Sequence, residues 1–522
     1  MDRASAPVDA GDRRLTESLP IDGRSLTLDH FLAAVRGRCA VSLDPEARAA
    51  VAASRRSVER AVTQGRAIYG VSTGFGALSH QVVPAARARE LQLALVRSHA
   101  SGAGGPLDGE IVLGMLLLRA NSLAAGHSGV RPEIIDGLLE FLNQRLVPWV
   151  PRQGSVGASG DLAPLAHVAL AMIGEGAFLG PHGEAVAAAP LLASHRIAPV
   201  ELREKEGVAL LNGTSLMTSY LALAVSDLEG LLDAALAAAA LSFDALRGDP
   251  AALDDRLGEL RHLPEQRAVA AALRRLIEGS ALSTARTEYA GQDPYTLRCL
   301  PQVLAAVRLS IDFARRILDA ELNAVSDNPV VFEGDEFLGG GNFHGQTLAL
   351  ALDTLAISTQ YLAAYSERRI ARLLHPSLNR GLPAFLAPEP GLSSGWMIAQ
   401  YLAAALVNEN LALSHPASTG SLPTSADQED FVSMGAWAGA KLRKVIENTR
   451  TVLAVEWAVG AQALEMRRPL SGGRGSEAAL RAVRETVRPW SSDRAPAADI
   501  ESLRARIGDG SLVAKVRAEV PY

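Results

Sequence analysis

The chain has 522 residues, of which 48% are hydrophobic and 21% are charged, so it can bury a large core built from several domains' worth of chain. Its formal net charge of −6, without a long basic block, argues against nucleic acid as a partner. Only 5% of the residues are aromatic while Ala and Leu dominate, which favours helix over sheet because these two residues lose little freedom in a helix.

The N-terminal segment is polar, charged and proline-containing, and it lacks the apolar stretch of a signal peptide. We predict a disordered extension over residues 1–24. The two cysteines, Cys39 and Cys299, form no CxxC motif, which argues against a disulfide framework and favours a cytoplasmic location. The most apolar tract, residues 234–243, is shorter than the ~20 residues that a membrane span requires, so no membrane partner is expected.

Residues 25–210 are predicted to form an N-terminal domain of short helices and loops. Two amphipathic helical patterns occupy residues 27–65, and helical patterns over residues 84–145 are interrupted at 101–106. Glycine-rich or irregular loops are expected at residues 69–76 and 148–161. Because functional side chains often sit on loops held by a rigid scaffold, these loops are candidates for the chemistry.

Residues 211–470 are predicted to form a central bundle of long helices, followed by a C-terminal helical segment over 471–522. Apolar residues recur at three- and four-residue steps without an interior proline over residues 215–247, 301–322, 346–374, 396–413 and 431–466. The predicted fold class is therefore all-α for most of the chain: an elongated bundle of long helices, with a smaller N-terminal part that carries the active-site loops. Several helices are apolar nearly all round, which indicates burial by partner subunits as well.

The most informative stretch is GSVGASGDLAPLAH at residues 154–167, where small residues alternate with glycines. Such a backbone can adopt tight, strained shapes. If the nitrogen of Gly160 is pressed against the carbonyl carbon of Ala158, a five-membered ring can close. Loss of water from Ser159 would then leave an electrophilic methylene group. An ordinary turn before a helix starting near Asp161 is the alternative interpretation, since turns also favour these residues.

The whole stretch resembles the signature of the ammonia-lyase and aminomutase family that carries a methylidene-imidazolone (MIO) ring. Further blocks occur in that family's order: YGVSTGFG at 69–76, LLNGTS at 210–215, QDPYTLRCLPQV at 292–303, ELNAVSDNP at 321–329, GGGNFHG at 339–345, SERR at 366–369, GLPAFL at 381–386 and QEDFVSMG at 428–435. The resemblance covers roughly residues 25–510. It implies an MIO group self-formed from Ala158, Ser159 and Gly160, no external cofactor, and a homotetramer whose sites combine residues from three subunits.

The resemblance also implies roles for three residues of the expected site. Elimination of ammonia needs a base for a weakly acidic β-hydrogen, and the resemblance assigns that role to Tyr69. A phenol titrates normally near ~10, so nearby positive charge or dipoles would have to deprotonate it. Asn212 matches an asparagine that hydrogen-bonds near the ring, and Phe343 matches an aromatic contact with it. A packed loop tyrosine and a core phenylalanine are the simpler interpretations.

Arg298 suits the substrate carboxylate, because a guanidinium group presents a planar fork that matches carboxylate geometry. Tyr295 lies three residues earlier, on the same side if this stretch is helical, and the resemblance places Tyr295 and Gln292 near the ring and the substrate. The simpler interpretation of Arg298 is that it forms a structural salt bridge. No HExxH motif occurs and the 11 histidines are scattered, so no metal site is expected.

Two positions favour histidine as the substrate, with trans-urocanate and ammonia as products. The pair Ser98-His99 resembles the selectivity pair of the histidine branch of the family. Glu429 belongs to a Gln-Glu-Asp block that is typical of the same branch. A carboxylate there can hold or deprotonate an imidazole, whereas a neutral amide suits a phenyl ring.

Other positions resemble the phenylalanine and tyrosine branch. Phe431 stands where the histidine branch generally has histidine, and GNFHGQ at 341–346 and LNRGLP at 378–383 lean the same way. The alternatives are therefore a tyrosine or phenylalanine ammonia-lyase, or a tyrosine or phenylalanine 2,3-aminomutase that returns ammonia to the β-carbon. A non-catalytic helical member of the family is a third alternative, which the presence of the 158–160 triad and Tyr69 opposes.

Overall fold

The computed structural model describes residues 18–284 and 292–522, and most of these residues are helical, as the composition predicts. The α-helices within these ranges are α1 (Leu28–Val35), α2 (Pro45–Thr63), α3 (Ala88–His99), α4 (Gly109–Ala124), α5 (Pro132–Asn143), α6 (Leu162–Met172), α7 (Ala188–Ser194), α8 (Glu206–Leu211), α9 (Ser215–Ala245), α10 (Asp255–Arg261), α11 (Pro264–Leu276), α12 (Ala281–Thr284), α13 (Tyr295–Arg298), α14 (Leu300–Glu321), α15 (Gln346–Leu374), α16 (Met397–Leu413), α17 (Gly435–Glu465), α18 (Arg474–Arg484), α19 (Ala497–Gly508) and α20 (Ser511–Glu519).

The strands are short and form two-stranded pairs. In chain order they are β1 (Ser18–Ile21), β2 (Ala40–Leu43), β3 (Ala103–Pro106), β4 (Pro151–Gln153), β5 (Ala177–Leu179), β6 (Ala185–Ala187), β7 (Val330–Phe332) and β8 (Glu336–Leu338). The β1–β2 pair is parallel, and the β3–β4, β5–β6 and β7–β8 pairs are antiparallel. The described chain thus begins with a strand inside the segment 1–24 that the sequence predicts to be disordered. Residues 1–17 of that segment lie outside the described residues.

The long helices confirm the periodicity argument. The pattern over 346–374 coincides with α15, and those over 215–247, 301–322 and 396–413 coincide with α9, α14 and α16 to within two residues at either end. The last pattern, 431–466, begins four residues too early, because α17 starts at Gly435. Residues 431–434 are apolar or small and fit the helical period, but they belong to the loop that precedes α17.

The helices of the N-terminal part start where capping chemistry allows it. At α2, the Asp44 carboxylate accepts hydrogen bonds from the backbone nitrogens of Glu46 and Ala47 at 2.8 and 3.1 Å. Pro45 occupies the first helical position, where its missing N–H is no loss. At α1, the side chain of Thr27 caps the helix in the same way. These local signals explain why two short helical patterns in residues 27–65 become two separate helices.

The chain forms two compact units, each assembled from three separate segments. The first unit comprises residues up to Leu223, Arg315–Leu352 and Ala417–Ala440. Its centre is α4, in which every side chain from Ile111 to Ala124 is buried. The second unit comprises Ala224–Ala314, Asp353–Pro416 and Lys441–Tyr522.

In the second unit, segments of long helices are joined by buried polar groups as well as by apolar packing. Arg369 on α15 donates to both oxygens of Glu456 on α17, at 2.5 and 2.8 Å, and Ser242 on α9 donates to one of them at 2.7 Å. Arg369 and Glu456 are 1% and 0% exposed, so removal of either partner would leave a buried charge without its counter-ion. These contacts fix the registers of the three helices.

Candidate active site

The segment 158–160 lies in a strained backbone conformation immediately before α6. Ser159 has a φ of +48°, in the left-handed region that a residue with a side chain rarely adopts, and Gly160 has a φ of +76°. A Cβ added at Gly160 would lie 2.1 Å from the carbonyl oxygen of Gly213. That carbonyl also accepts a hydrogen bond from Asp161 N at 2.7 Å, so the close approach is held in place. Only glycine fits at position 160.

Ring closure would join the Gly160 nitrogen to the Ala158 carbonyl carbon, and the Ala158 carbonyl oxygen would leave as water. Among the described residues, neither the Gly160 amide nitrogen nor the Ala158 carbonyl oxygen makes a hydrogen bond. The intervening Ser159 carbonyl accepts from Gly213 N at 3.3 Å. The Gly160 nitrogen and the Ala158 carbonyl are therefore not tied to other parts of the described chain, which leaves them available for ring closure.

Asp161 links this segment to the first turn of α9. Its Oδ2 atom accepts hydrogen bonds from the backbone nitrogens of Leu216 and Met217, at 2.8 and 3.1 Å, in the first turn of α9. Burial raises the pKa of this carboxyl group to about 7, against the opposing effect of the two backbone donors and with a further upward contribution from Glu321. The other oxygen, Oδ1, is buried without a hydrogen-bond partner.

Two cavities of the first unit open onto this segment. One, of about 620 Å³, is lined by apolar side chains of α3 together with His99, Asn212 and Ser159. The other, of about 770 Å³, is lined by Ala158, Ser159, Phe343 and residues of the loops around it. Both cavities also contact Tyr69 and Glu429. The structure therefore brings together seven of the residues that the sequence nominates: Tyr69, His99, Ala158, Ser159, Asn212, Phe343 and Glu429.

Tyr69 is half-buried in the glycine-rich loop, at the boundary of both cavities. Its hydroxyl oxygen accepts a hydrogen bond from Gly76 N at 3.3 Å, and its ring meets Phe75 edge-on with ring centres 6.3 Å apart. The loop is tied to the scaffold by the buried Gln92, whose side chain donates to the Gly70 carbonyl at 3.0 Å.

His99 ends α3 with its ring half-buried. Its Nδ1 atom lies 2.9 Å from the Leu95 carbonyl oxygen, which can only accept, so Nδ1 carries a hydrogen and Nε2 of the neutral ring is an acceptor. Burial lowers the pKa of His99, while the Leu95 carbonyl and the Glu429 carboxylate oppose that shift. The neutral ring therefore predominates at neutral pH.

Asn212 is held by a buried charged network. Its side-chain nitrogen donates to Asp327 Oδ1 at 3.3 Å and to the Asn328 carbonyl at 3.1 Å. The other oxygen of Asp327 accepts from Lys205 Nζ at 2.6 Å, and both side chains of this ion pair are 0% exposed. Because the nitrogen of Asn212 is engaged, its oxygen Oδ1 remains a buried acceptor without a partner. Asn212 lines the cavity that contains Ser159 and His99, while this oxygen atom is itself enclosed.

The second unit contains the remaining nominated residues, Gln292, Tyr295 and Arg298. Tyr295 and Arg298 bound the single turn of α13, and the guanidinium carbon of Arg298 lies 4.6 Å from the centre of the Tyr295 ring. The three-residue spacing thus places them on the same side, as predicted. Tyr295 is 66% exposed, and Arg298 Nε is buried without a partner. None of the three lines either of the cavities described above.

Sequence reasoning missed three residues that hold the site: Lys205, Leu95 and Thr424. Lys205 looks like any surface lysine in a charged stretch, and its partner Asp327 is 122 residues away. Thr424 Oγ1 donates to Glu429 Oε2 at 2.9 Å across a loop without glycine. The only signal that could have nominated Thr424 is its distance of five residues from Glu429.

Phe431 does not line the cavity that contains His99. Its ring stacks on His344 with centres 6.2 Å apart and planes 15° apart, and its carbonyl oxygen lies 3.1 Å from His344 Nε2. Phe431 does line the larger cavity, together with Ser159 and Glu429, so the departure from the histidine branch changes the wall of that cavity.

Neither a metal centre nor a membrane span is found in the part of the chain that the structure describes. Within residues 18–284 and 292–522, no three His, Cys, Asp or Glu side chains are grouped as metal ligands would be. No helix in these ranges is both long enough and apolar enough to cross a bilayer.

A sequence model of the family described as aromatic amino acid lyase matches residues 26–485. The chain belongs to the aromatic amino acid lyase family. Within this family, the chain is 49% identical to a histidine ammonia-lyase of Symbiobacterium thermophilum, over 95% of this chain and 98% of that protein. It is 46% identical to a histidine ammonia-lyase of Koribacter versatilis, over 96% of this chain and 100% of that protein.

Solved structures of family members share the whole fold. A tyrosine aminomutase from Streptomyces globisporus superposes with a TM-score of 0.91 at 37% identity, covering 97% of this chain and 99% of that one. A histidine ammonia-lyase from Trypanosoma cruzi superposes with a TM-score of 0.89 at 38% identity, covering 97% of this chain and 96% of that one. Both the predominantly helical fold class and membership in the family that the motifs resemble are thereby confirmed.

Proposed function

We propose that this aromatic amino acid lyase is a histidine ammonia-lyase, which eliminates ammonia from L-histidine to give trans-urocanate. The observation that carries the proposal is one cavity that contains the strained Ser159 together with His99 and Glu429. Curated relatives that are 44–49% identical over at least 93% of the chain carry the same name, which supports the substrate.

Ala158, Ser159 and Gly160 are proposed to cyclise into an MIO group. The Gly160 nitrogen would bond to the Ala158 carbonyl carbon with loss of one water, and Ser159 would lose a second water to leave a methylene group. The strain at Ser159, the glycine-only position 160 and the unpaired nitrogen and carbonyl fit that product. Once formed, the group supplies an electrophile that makes the substrate amine a better leaving group. No external cofactor or metal ion is invoked.

The side chains around this segment are proposed to bind the substrate and move its protons. Tyr69 is the base for the β-hydrogen, since it borders both cavities and receives the Gly76 N–H at its oxygen. Asn212 lines the cavity beside Ser159 and hydrogen-bonds near the ring. Phe343 provides an apolar wall beside Ala158.

The imidazole of the substrate is proposed to lie between His99 and Glu429. The neutral His99 ring offers Nε2 as an acceptor, and the Glu429 carboxylate offers a charged one. An imidazole carries an N–H donor and is recognised by such groups, whereas a phenyl ring would leave both acceptors unpaired at a desolvation cost. The two acceptors therefore favour histidine over phenylalanine.

Arg298, Tyr295 and Gln292 are proposed to bind the substrate carboxylate and amine from a neighbouring subunit of a homotetramer. They line neither cavity of the first unit. In the second unit, α16 has 17 residues of which three are buried, while Ile398, Tyr401 and Leu411 are 61–65% exposed. An apolar face of this kind suits association with further copies of the chain. We place the enzyme in the cytoplasm, where its two free cysteines would stay reduced.

A tyrosine or phenylalanine ammonia-lyase, or a 2,3-aminomutase, is the second candidate. The likeness to the Streptomyces globisporus aminomutase and the presence of Phe431 favour it. Phe431, however, packs against His344 and is absent from the cavity that contains His99.

The test is to incubate the purified enzyme separately with L-histidine, L-phenylalanine and L-tyrosine, following ultraviolet absorbance and analysing the amino acids. We expect urocanate from histidine and no β-amino acid. Cinnamate or coumarate as the main product, or a β-amino acid, would overturn the histidine ammonia-lyase assignment.

A further inference from the structure

The loop that carries Glu429 closes on itself without a glycine. Thr424 N donates to the Glu429 carbonyl at 3.0 Å and Glu429 N donates to the Thr424 carbonyl at 3.3 Å, so the two residues form an isolated bridge. Between them, Ser425, Ala426 and Asp427 have φ values of +54°, +52° and +62°. Three successive left-handed residues with side chains are unfavourable in isolation, so the bridge and the surrounding packing must hold this turn.

The bridge places the two side chains within reach of each other. Thr424 Oγ1 donates to Glu429 Oε2 at 2.9 Å. Among the described residues, the other carboxylate oxygen, Oε1, accepts no hydrogen bond, and it is not among the buried atoms that lack a partner. Glu429 thus has one oxygen held by the protein and one open toward the cavities that the residue lines.

We propose that Thr424 is a positioning residue for Glu429, and through it a determinant of the preference for an imidazole substrate. This inference rests on the proposed function, because it takes Glu429 as the partner of the substrate imidazole. A glutamate has several rotatable bonds and loses much freedom when it is ordered. The hydroxyl of Thr424 selects one rotamer before the substrate arrives, so that Oε1 meets the imidazole N–H without that loss.

The experiment compares Thr424→Val and Thr424→Ser, each in the parent enzyme and in a Glu429→Gln background. Valine keeps the shape of threonine and removes the donor, while serine keeps the donor. We expect Thr424→Val to lower kcat/KM for L-histidine about three- to tenfold, the range for loss of one hydrogen bond, mainly through KM. Thr424→Ser should stay within about twofold of the parent.

The Glu429→Gln background separates positioning from a structural role. If Thr424 acts through the carboxylate, adding Thr424→Val to Glu429→Gln should lower kcat/KM by less than about twofold, because that background lacks the carboxylate that Thr424 positions toward the imidazole. A fold-loss in that background equal to the loss in the parent would overturn the proposal. So would a Thr424→Val enzyme with the parent's kinetics, or a Thr424→Ser enzyme as impaired as the valine variant.

Thr63→Val serves as the matched control, because it removes a threonine hydroxyl from the exposed end of α2, where that hydroxyl donates only to the Glu59 carbonyl. Its kinetics should equal the parent's. If Thr424→Val fails to fold by circular dichroism, Thr424→Ala removes the same donor with a smaller side chain and is read by the same criteria. A parent enzyme inactive on histidine would refute the proposed function itself, whereas an active parent with an indifferent Thr424 would refute only this inference.

Discussion

Replacing Glu429 with glutamine tests the substrate assignment while keeping the size of the side chain. In the structure, Glu429 accepts the Thr424 hydroxyl on Oε2 and leaves Oε1 for a ligand. A glutamine has one acceptor oxygen in place of two. It can accept from Thr424 and present an NH2 group to the imidazole N–H, which sets donor against donor, or it can accept from the imidazole and give up Thr424.

The expected magnitude follows from losing one hydrogen bond between a charged acceptor and a neutral donor. Such bonds contribute about 1.5–3 kcal/mol, which corresponds to a roughly 10- to 150-fold loss of kcat/KM for L-histidine. L-Phenylalanine and L-tyrosine carry no side-chain N–H, so their interaction with position 429 should change by less than about threefold.

The assay measures urocanate formation by absorbance for the parent and Glu429→Gln enzymes. If phenylalanine and tyrosine are not turned over, their inhibition constants against histidine replace kcat/KM. Circular dichroism melting of both proteins serves as the folding control. An equal loss for all three amino acids, or an unchanged rate with histidine, would refute the reasoning that assigns Glu429 to the imidazole.

Three further outcomes are expected. Gly160→Ala should abolish ring formation and turnover, because its Cβ would lie 2.1 Å from the Gly213 carbonyl oxygen; an active variant, or a variant peptide that has lost two waters, would contradict this. Asp161→Asn should weaken the pH dependence of the free energy of unfolding. Burial raises the pKa of Asp161 to about 7 in the folded state, whereas an unfolded aspartate titrates near ~4. The folded parent therefore holds an extra proton between these values, and its free energy of unfolding falls as pH rises from about 4 to 7. Thermal melts at pH 5 and 7.5 should therefore differ less for the variant, and equal differences would refute the assignment. Tyr69→Phe and Arg298→Ala should each be inactive alone but regain activity when co-expressed, because mixed oligomers of the proposed tetramer would contain sites with both native residues; no recovery in co-purified mixed oligomers would contradict shared sites.

The long helices could be predicted from sequence because their apolar periodicity is continuous and free of proline. The bounds of α15 were predicted to the residue. The start of α17 was predicted four residues early because Phe431 fits the helical period although it packs on His344 in a loop. Strand β1 lies in a segment whose composition predicts disorder. Composition could not reveal this strand, because it is stabilised by pairing with β2, about twenty positions further along the chain.

The candidate site could be predicted where its residues form contiguous sequence motifs, and not where it depends on contacts between residues that are distant in the sequence. The triad 158–160 could be predicted from its own residues and the sequence that flanks them. The Lys205–Asp327 pair that orients Asn212 could not, because its members are 122 residues apart and neither is unusual in its local sequence. The left-handed turn before Glu429 contains no glycine, so it lacks the signal by which such turns are recognised.

The central claim is that the backbone of residues 158–160 becomes the electrophile of this enzyme. The direct measurement is the mass of the proteolytic peptide that spans Ala158 to Gly160, taken from a preparation that turns over L-histidine. We expect a peptide lighter than its sequence by two water molecules, about 36 Da. A peptide of unmodified mass, recovered quantitatively from the active enzyme, would contradict it.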